Sequence, residues 1–594
     1  MNLLLALIFP LLFAASVESG GGPAPVRSFD VLHYDVALRV DPPAGSISGV
    51  ARLRIVARER IQDLDLDADS LSIDEIMDVA RPPGAGRKLE FQCDSGHLHI
   101  HLQQPLEPKG NLEISIRYTA KPEHGIRFTP DQVFTAFHTE AWLPSIMDPD
   151  DRATFRLSLN LPAGMTVVSN GAPDKVRRNG KGRETHLWNE PRAYPAYLFG
   201  FAAGRLHCIE PRRAHPGLTF CAAATPAADL QTIFKDVPRM ISFFAEKAGV
   251  SYPEPRFAEF LMEKGVPQEA AGYAVLPESY AADVLVEPRE DWLVAHELAH
   301  SWWGNLVTCR TWSDFWLNEG GVTFLTSVWK EHAYGDEEYA RERYLARRRY
   351  RRAVDSGKAH ALVFQGWKTP DEAGGPIPYY KGALVLHFLR HLLGEEAFWD
   401  GFRLYTSRAA SGDGLVTSDD LQQALMEKSG KDLSKIFDQW VYSAEVPRIV
   451  ASHEVTPAEV IVHLLQKQSV PWTIPLQVAV ETTTGRCVVD VALTRSDETL
   501  HIPVTGTVLS VRVDDGANLP EMVEHERSAE MLAWQAWHEP DAIGRAEAVV
   551  ALDQVCGKTP EEPICTGRAS FLSRRESVET SRLVRSVIDQ VLGR

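Results

Sequence analysis

The chain has 594 residues, which is too long for one hydrophobic core, so two to four domains are expected. Its hydrophobic fraction of 44% and charged fraction of 24% are ordinary for a globular protein. The formal net charge of −18 argues against a general nucleic-acid-binding protein, because affinity for phosphate requires clustered positive charge.

Residues 1–19 are predicted to be a cleaved signal peptide that directs export, either to the periplasm or out of the cell. Residues 3–15 form an apolar run too short to span a bilayer, and the small residues Ala14 and Ser16 suit a cleavage site. No Lys or Arg precedes the run, so an apolar tail without a targeting role is the alternative. No later segment is long and apolar enough to cross a membrane, so we expect no membrane span in the mature chain.

Four of the seven cysteines form two closely spaced pairs. Cys208 and Cys221 lie at hairpin or loop spacing, and so do Cys556 and Cys565. In an exported chain these pairs are the expected disulfides, whereas in a reducing compartment they would remain buried thiols. Spacing alone leaves both possibilities open.

Residues 27–205 are predicted to form an N-terminal β domain. Apolar and polar residues alternate along several segments, which is typical of half-buried antiparallel strands. The clearest segments are HYDVALRV from His33, NLEISIRY from Asn111 and FRLSLNL from Phe155.

Helical spacing replaces strand spacing after residue 206, so residues 206–445 are predicted to form a mainly helical domain. Residues 446–525 return to alternation, and TIPLQVAVETTTGRCVVDVALT predicts two strands joined by a turn. Residues 526–594 are predicted to form an amphipathic helical segment. The fold class is therefore predicted to be multidomain α+β.

The strongest functional motif is HELAH, which lies in a run without Pro or Gly. On a helix, His296 and His300 project from one face, one turn apart, so both imidazoles can reach one Zn²⁺. Glu297 would lie beside the metal without binding it, where it could take a proton from an attacking water. The alternative is a helix with two partly buried histidines, because the motif also arises by chance.

A catalytic zinc needs a third protein ligand, and Glu319 in WLNEG is the candidate. It follows His300 in a second helical stretch, and glycine-bearing sequence between them permits the chain to fold back. Four tryptophans are predicted to pack the two helices against each other: Trp302, Trp303, Trp312 and Trp316.

These residues carry a family resemblance. HELAHSWWGNLVTCRTWSDFWLNEG resembles the zinc signature of the membrane alanyl aminopeptidase and leukotriene hydrolase family, which are gluzincin metallopeptidases, and the resemblance extends over most of the chain. It implies an N-terminal antiparallel β saddle or sandwich, a thermolysin-like catalytic domain, a small β-sandwich and a helical tail shorter than the family's usual superhelix. It also implies one Zn²⁺ per chain, bound by His296, His300 and Glu319, with Glu297 as general base.

A second motif of this family is Tyr-x-Lys-Gly. PIPYYKGALVLHFL carries it at Tyr379, Lys381 and Gly382, and a phenol there can donate a hydrogen bond to the oxyanion of a tetrahedral intermediate. Tyr380 is the neighbouring candidate, but the spacing to Lys-Gly favours Tyr379. The alternative is that both tyrosines only pack at a helix start.

The family's Gly-x-Met-Glu-Asn motif, whose Glu binds the substrate's α-amine, is degenerate here. Its best counterpart is VPQEAAGYAVLPESY, which keeps Glu269 but has Gln268 before it and Ala270 after it. Glu269 is the predicted amine anchor, because one carboxylate suffices to pair with an ammonium. Glu278 is the other candidate, and a solvated loop acid is the third possibility. In the first domain, Thr135 stands where the family often has Gln or Glu.

Two other polar clusters have simpler explanations. His97, His99 and His101 share one face of a predicted strand, where contact with water is more common than metal binding. Seven arginines between Arg341 and Arg352 are predicted to form a solvated helix face with glutamate partners rather than a nucleic-acid site.

The sequence therefore predicts an exported, zinc-dependent aminopeptidase that removes N-terminal residues from peptide substrates. The same site could instead serve a zinc endopeptidase or an epoxide hydrolase. A non-catalytic peptide-binding protein is the least favoured hypothesis. The natural substrate, its first side chain and the oligomeric state do not follow from the sequence.

Overall fold

The computed structural model describes residues 27–79, 86–211, 216–367, 372 and 374–594. The predicted signal peptide, residues 1–19, lies outside these described residues. Within the described ranges, every helix is too short or too polar to span a bilayer.

The N-terminal region is built from strands, as its alternating pattern predicts. They are β1 (Phe29–Asp41), β2 (Ser46–Ala57), β3 (Ile61–Asp67), β4 (Ser72–Asp78), β5 (Arg87–Lys88), β6 (Glu90–Asp94), β7 (His97–Leu106), β8 (Asn111–Ala120), β9 (Gly125–Phe128), β10 (Gln132–Ala136), β11 (Arg152–Pro162), β12 (Thr166–Ser169), β13 (Ala172–Asn179), β14 (Arg183–Pro195) and β15 (Phe201–Gly204). Eight of them form one sheet in the order β13-β14-β11-β1-β2-β8-β4-β5, in which β1 and β11 are parallel. Two smaller sheets have the orders β3-β7-β6 and β12-β15-β10-β9.

Strand β1 shows how the alternating sequence produces this region. Tyr34, Val36, Leu38 and Val40 are buried, while the residues between them are exposed or half-buried. Successive side chains of a strand point to opposite faces, so one face of the sheet joins the core and the other remains nearer to solvent.

The next region combines a sheet with helices. Its sheet contains β16 (His207–Ile209), β17 (Gly217–Ala222), β18 (Arg256–Met262), β19 (Gln268–Ala270) and β20 (Tyr273–Pro277), in the order β16-β17-β18-β20-β19. Strands β17, β18 and β20 are parallel, and β19 runs antiparallel at the edge. A short parallel pair, β21 (Thr308–Cys309) and β22 (Leu415–Val416), lies apart from this sheet.

The helices of this region carry most of the predicted site. They are α1 (Ala227–Ile233), α2 (Val237–Ala248), α3 (Tyr280–Val286), α4 (Trp292–Ala299), α5 (Trp316–Tyr334), α6 (Asp336–Asp355), α7 (Gly382–Leu393), α8 (Glu395–Ser411), α9 (Ser418–Ser429) and α10 (Ser434–Trp440). A π-helical turn, Ile377–Lys381, leads into α7. Single 3₁₀ turns occur at Pro42–Ala44, Thr139–Ala141, Ala196–Leu198, Pro288–Glu290 and Trp312–Asp314.

The C-terminal part contains two small sheets and then helices. The strands are β23 (Ile449–Val455), β24 (Glu459–Gln466), β25 (Ile474–Thr482), β26 (Gly485–Leu493), β27 (Asp497–Pro503), β28 (Val508–Val513) and β29 (Glu524–His525), in the orders β27-β24-β23-β29 and β26-β25-β28. The helices are α11 (Ala529–His538), α12 (Ala542–Lys558), α13 (Pro563–Thr566), α14 (Arg568–Val578) and α15 (Arg582–Leu592). The predicted two-strand segment corresponds to β25 and β26.

The N-terminal region and the neighbouring sheet share one hydrophobic core. Phe260 of β18 and Tyr273 and Val275 of β20 pack in the same cluster as the buried faces of β1 and β11. The edge of this sheet near β19 is therefore held against the N-terminal region. The predicted amine anchor, Glu269, lies on that edge strand.

The arginines of α6 bind the C-terminal part of the chain. Arg347 is only 4% exposed and lies 3.4 Å from Oδ2 of Asp514, and Arg351 lies 3.2 Å from Oε1 of Glu521. The prediction of a solvated arginine face is therefore wrong for Arg347, whereas the side chain of Arg351 remains 34% exposed. The predicted acidic partners exist, but these two come from sequence more than 160 residues away.

Both close cysteine pairs form disulfides, Cys208–Cys221 between β16 and β17 and Cys556–Cys565 between α12 and α13. The three histidines of β7 lie on its exposed face, as predicted. Each of them contacts an aspartate of the neighbouring strand β3, in the pairs His97–Asp67, His99–Asp65 and His101–Asp63.

Candidate active site

His296 and His300 face the same way because α4 carries them one turn apart. Nothing in the sequence interrupts α4 before Ala299, and His300 keeps helical dihedral angles just beyond its end (φ −55°, ψ −25°). The two Nε2 atoms are 3.2 Å apart. Both histidines are buried.

Glu319 reaches the two histidines from α5. Its Oε2 lies 3.4 Å from Nε2 of His296 and 3.5 Å from Nε2 of His300. Between the helices the chain turns at Gly304, where φ is +120° and a Cβ would lie 2.8 Å from Nδ1 of His300. Only glycine fits this turn without strain, so it allows the chain to fold back as the sequence predicts.

The spacing of these three donor atoms fits a tetrahedral metal ion. Ligand atoms about 2.0–2.1 Å from zinc at tetrahedral angles are about 3.3–3.4 Å from one another. The observed separations run from 3.2 to 3.5 Å. Oε2 of Glu319 is also buried and accepts no hydrogen bond from the described residues, so a cation would supply the partner that a buried oxygen needs.

A backbone hydrogen bond determines which nitrogen of His300 faces the proposed metal position. Nδ1 lies 3.0 Å from the carbonyl oxygen of Trp303, to which it donates its proton. In the neutral imidazole that a metal requires, the lone pair is then on Nε2, the atom nearest His296 and Glu319. Histidines that bind metals are usually oriented by such a hydrogen bond.

The side chains of His300 and Glu319 shift each other's pKa. Burial lowers the pKa of His300, but the carboxylates of Glu319 and Glu269 outweigh burial and raise it to about 10. Burial raises the pKa of Glu319, yet His300 and His296 outweigh it and lower the pKa to about 2. Burial lowers the pKa of His296. The carboxylate of Glu319 therefore remains ionised, as a metal ligand must.

Glu297 lies in the same buried cluster. One of its carboxylate oxygens, one of Glu269 and one nitrogen of His300 all lie within 4.8 Å of one another. Burial, together with the charges of Glu269 and Glu319, raises the pKa of Glu297 well above its usual range. Its Oε2 has no hydrogen-bond partner among the described residues. A carboxylate in this setting can accept and hold a proton.

Tyr379 lies in the π-helical turn, and its ring stacks parallel to that of His296. The ring centroids are 6.1 Å apart and the planes differ by 6°. Burial and the neighbouring carboxylates raise the pKa of Tyr379 well above its usual range. The phenol therefore stays protonated and can donate a hydrogen bond.

Tyr380 has a different environment from Tyr379. Nη1 of Arg349 lies 3.0 Å from its hydroxyl, and the guanidinium carbon lies 5.0 Å from the ring centroid. The ring that lies against His296 is therefore that of Tyr379 and not that of Tyr380, in line with the spacing to Lys-Gly.

Two glycines allow the turn of Tyr379 to approach the helix of Glu319. A Cβ on Gly320 would lie 2.7 Å from the carbonyl oxygen of Pro378 and 2.8 Å from Cα of Gly382. A Cβ on Gly382 would lie 2.9 Å from Cα of Gly320. Gly320 directly follows Glu319 and Gly382 ends the Tyr-x-Lys-Gly motif, and these positions were the available sequence signal for this contact.

Glu269 is oriented by its neighbour Gln268. Nε2 of Gln268 donates to Oε2 of Glu269 at 2.9 Å, while its Oε1 accepts from the backbone N–H of Phe137 at 2.9 Å. The Gln268 side chain therefore connects the N-terminal region to the predicted amine anchor. Burial raises the pKa of Glu269 to about 7. The sequence showed Gln268 only as a departure from the family motif and did not predict this role.

Glu278, the other candidate anchor, and Thr135, which replaces the family's Gln or Glu, both make hydrogen bonds to the backbone. Oε1 of Glu278 accepts from the backbone N–H groups of Ala224 and Thr225, at 2.7 and 2.8 Å. Thr135 is buried, and its hydroxyl bonds the backbone of Phe201. Glu278 is thus engaged in holding a loop, and Thr135 in holding a strand end.

The four tryptophans are buried, and they also contact elements other than α4 and α5. Their ring nitrogens donate to different elements in three cases, namely Trp302 to Val250 O, Trp303 to Thr406 Oγ1 and Trp316 to Ser418 Oγ. Trp312 packs edge-on against Tyr197 of the N-terminal region. Trp302, Trp303 and Trp316 also share one hydrophobic cluster with buried residues of α4 and α5, which agrees with the predicted packing.

A β-rich region, a helical region and a buried His-Glu-x-x-His…Glu cluster together form the arrangement expected of a metallopeptidase. Residues 31–198 match the model of the peptidase M1 N-terminal domain, and residues 236–440 match the model of the peptidase family M1 domain. The chain belongs to peptidase family M1.

Several curated proteins are similar to this chain. A puromycin-sensitive aminopeptidase of Caenorhabditis elegans is 25% identical over 77% of this chain and 53% of its own length. Aminopeptidase N of Lactococcus lactis subsp. lactis is 28% identical over 64% of this chain and 47% of its own length. A probable aminopeptidase 2 of Sulfurisphaera tokodaii is 25% identical over 60% of this chain and 46% of its own length. The chain spans about half the length of these relatives.

Proposed function

We propose that this chain is a zinc-dependent aminopeptidase that removes N-terminal residues from peptides. The convergence of His296, His300 and Glu319 at separations of 3.2 to 3.5 Å carries the proposal. A zinc ion bound by these residues would act as a Lewis acid toward the scissile carbonyl and acidify a water molecule.

Glu297 and Tyr379 supply the proton chemistry in this proposal. The carboxylate of Glu297 takes a proton from the attacking water and returns it to the leaving amine. The hydroxyl of Tyr379 donates a hydrogen bond to the oxyanion that forms on the substrate. Both side chains border the ligand cluster, which is what these two roles require.

Glu269 makes the proposed enzyme an aminopeptidase rather than an endopeptidase. A free α-ammonium would pair with its carboxylate, next to the reacting centre. The cluster that includes Glu269, Glu297 and His300 supports this assignment, as do the printed names of the related proteins. An endopeptidase, an epoxide hydrolase and a non-catalytic peptide-binding protein have no comparable observation in their favour.

The test is hydrolysis of a panel of aminoacyl-arylamides by the purified protein. Turnover should disappear on chelation, return with Zn²⁺ and fall at least about 10²-fold in Glu297→Gln, since general-base catalysis contributes that much or more. N-acetylation of the same substrates should abolish cleavage. Cleavage of blocked peptides with no loss would instead identify an endopeptidase.

Metal content separates a catalytic defect from a folding defect. Glu297→Gln should retain the zinc of the wild type, because Glu297 is not among the proposed ligands. If the wild type and Glu297→Gln both bind peptides but neither hydrolyses them, the result would contradict the proposal and favour a binding protein.

We also propose that the chain is exported. Its two disulfides, Cys208–Cys221 and Cys556–Cys565, support an oxidising compartment. Peptide mapping of the protein purified from its natural source, with free thiols blocked at lysis, tests this. Blocked thiols at all four positions would count against export.

A further inference from the structure

A second cluster of metal-binding side chains lies in the N-terminal region, outside the proposed catalytic site. One nitrogen each of His124 and His138 and one carboxylate oxygen of Glu140 lie within 4.8 Å of one another. The two imidazole centroids are 4.7 Å apart, with the rings tilted by 73°.

A hairpin brings the two histidines together. Strands β9 and β10 pair so that Gly125 lies opposite Ala136, which leaves His124 and His138 just beyond the paired ends. Gly125 has φ +75°, and a Cβ there would lie 2.5 Å from the carbonyl oxygen of His138. Glycine is thus required for the close approach of the two backbone segments that carry the imidazoles.

Glu140 contributes a buried carboxyl group, one oxygen of which has no partner among the described residues. The residue is 8% exposed, and its Oε1 lies 2.8 Å from Nδ1 of His138. Its Oε2 is buried and has no hydrogen-bond partner among the described residues. Burying such an oxygen is costly unless a donor or a cation satisfies it.

Asp69 holds His124 from the other side. Oδ2 of Asp69 lies 2.6 Å from Nε2 of His124, and the backbone N–H of Asp69 donates to the carbonyl oxygen of Glu140. An imidazole that donates one N–H to a carboxylate presents a lone pair on its other nitrogen. Carboxylate–histidine pairs of this kind commonly orient metal ligands.

We propose that His124, His138 and Glu140 form a second metal site, which binds a divalent transition-metal ion such as Zn²⁺. Two imidazoles and one carboxylate suit zinc and its neighbours, whereas Mg²⁺ and Ca²⁺ prefer sites made of oxygen atoms alone. The proposal does not depend on the proposed aminopeptidase function.

A second cluster, made of acidic side chains only, is a weaker candidate for a metal site. Asp515, Glu539 and Asp541 also have carboxylate oxygens within 4.8 Å of one another. Arg486 and Arg512 lie among them, and Arg512 is within 3.2 Å of Glu539, so positive charge is already present. By contrast, the described ion-pair partners of Glu140 and Asp69 are histidines.

The second site would lie one residue away from the contact that orients Glu269. Phe137, whose backbone N–H donates to Gln268, immediately precedes His138. A metal ion on His138 would fix the end of this segment. Its loss should therefore loosen the hydrogen bond between Phe137 and Gln268.

The test counts zinc per chain after metal removal, reconstitution with excess Zn²⁺ and passage over a chelating resin. The wild type should bind two equivalents, and His124→Ala and Glu140→Ala should each bind one. His300→Ala should retain one equivalent, and the double variant with His124→Ala should bind none. His99→Ala is the matched control, because His99 is also a histidine paired with an aspartate, and this variant should keep two equivalents.

Thermal unfolding separates loss of a ligand from loss of the fold. Added Zn²⁺ should raise the unfolding midpoint of metal-free His300→Ala, and this shift should vanish when His124→Ala is added. No zinc in folded His300→Ala, or two equivalents in folded His124→Ala, would overturn the proposal. A protein that does not hydrolyse peptides would not contradict the second site, because the zinc content of that site is measured in His300→Ala.

Discussion

Gly320 and Gly382 meet across the contact between α5 and α7 at a distance that leaves no room for a side chain. Gly320 follows Glu319, and Gly382 ends the motif that begins at Tyr379. This close backbone contact therefore helps to hold the phenol near the proposed metal ligands.

Gly320→Ala should separate Tyr379 from the histidine cluster. Overpacking a close contact usually costs about 1–3 kcal/mol, and a displacement of about 1 Å can reduce turnover about 10²-fold. We expect a lower kcat and a lower unfolding midpoint, with zinc retained, in steady-state kinetics and thermal unfolding. Gly321→Ala is the control, because a Cβ there has nothing within 4 Å, and it should keep wild-type kcat.

Tyr379→Phe should lower kcat about 10²–10³-fold with little change in KM, because a donor to the oxyanion acts mainly in the transition state. Tyr380→Phe removes the same atom from the neighbouring ring, which contacts Arg349 instead of the cluster. It should leave kcat within about twofold of the wild type. Equal losses in both variants would indicate a packing effect and exclude the proposed role of Tyr379.

Gln268→Leu should weaken recognition of the substrate amine. The change removes the hydrogen bond to the Glu269 carboxylate, and bonds to charged groups contribute about 1.5–3 kcal/mol. We expect KM for aminoacyl-arylamides to rise at least about tenfold while kcat changes less.

Gln132→Leu is the matched control for this variant. Gln132 is also a buried glutamine, but its Oε1 accepts from the backbone of Glu263 instead of contacting Glu269. A comparable rise in KM in both variants would mean that Gln268 contributes general stability only.

Glu190→Gln should change how stability depends on pH. Burial, with the charge of Glu254, raises the pKa of Glu190 to about 8. A carboxyl group whose pKa is raised by folding binds its proton more tightly when folded, so stability falls as pH rises from about 4.5 to 8.

The variant should lose this part of the pH dependence and become the more stable form above pH 8. Between pH 5 and pH 9, the free energy of unfolding of the wild type should fall relative to that of the variant by on the order of 2–4 kcal/mol. Denaturant unfolding of both proteins at both pH values measures this change. Parallel pH profiles for the two proteins would show that Glu190 is not protonated in the folded state.

The sequence was informative where function or burial depends on short spacing. The strands of the N-terminal region follow from period-two alternation, and His296, His300 and Glu319 follow from the motif and its neighbouring helix. Tyr379 was distinguished from Tyr380 by its distance to Lys-Gly. In each case the deciding residues are close in sequence.

Contacts between distant segments were not predictable in this way. Gln268 meets Phe137 across 131 positions, and Arg347 meets Asp514 across 167. The arginine-rich segment was correctly predicted to be helical, but the sequence does not show which surface will cover it. The arginines were therefore predicted to be solvated, although tertiary packing buries Arg347.

The arginine-rich helix α6 has a consequence for the order of folding. Its like charges repel one another until acidic groups from other regions arrive, and Asp514 and Glu521 are among these groups. Helix α6 and the segment that carries these acids should therefore become stable together, after the chain has been synthesised well beyond α6. A ribosome-bound fragment that ends at residue 445 should consequently show α6 as its most protease-sensitive helix.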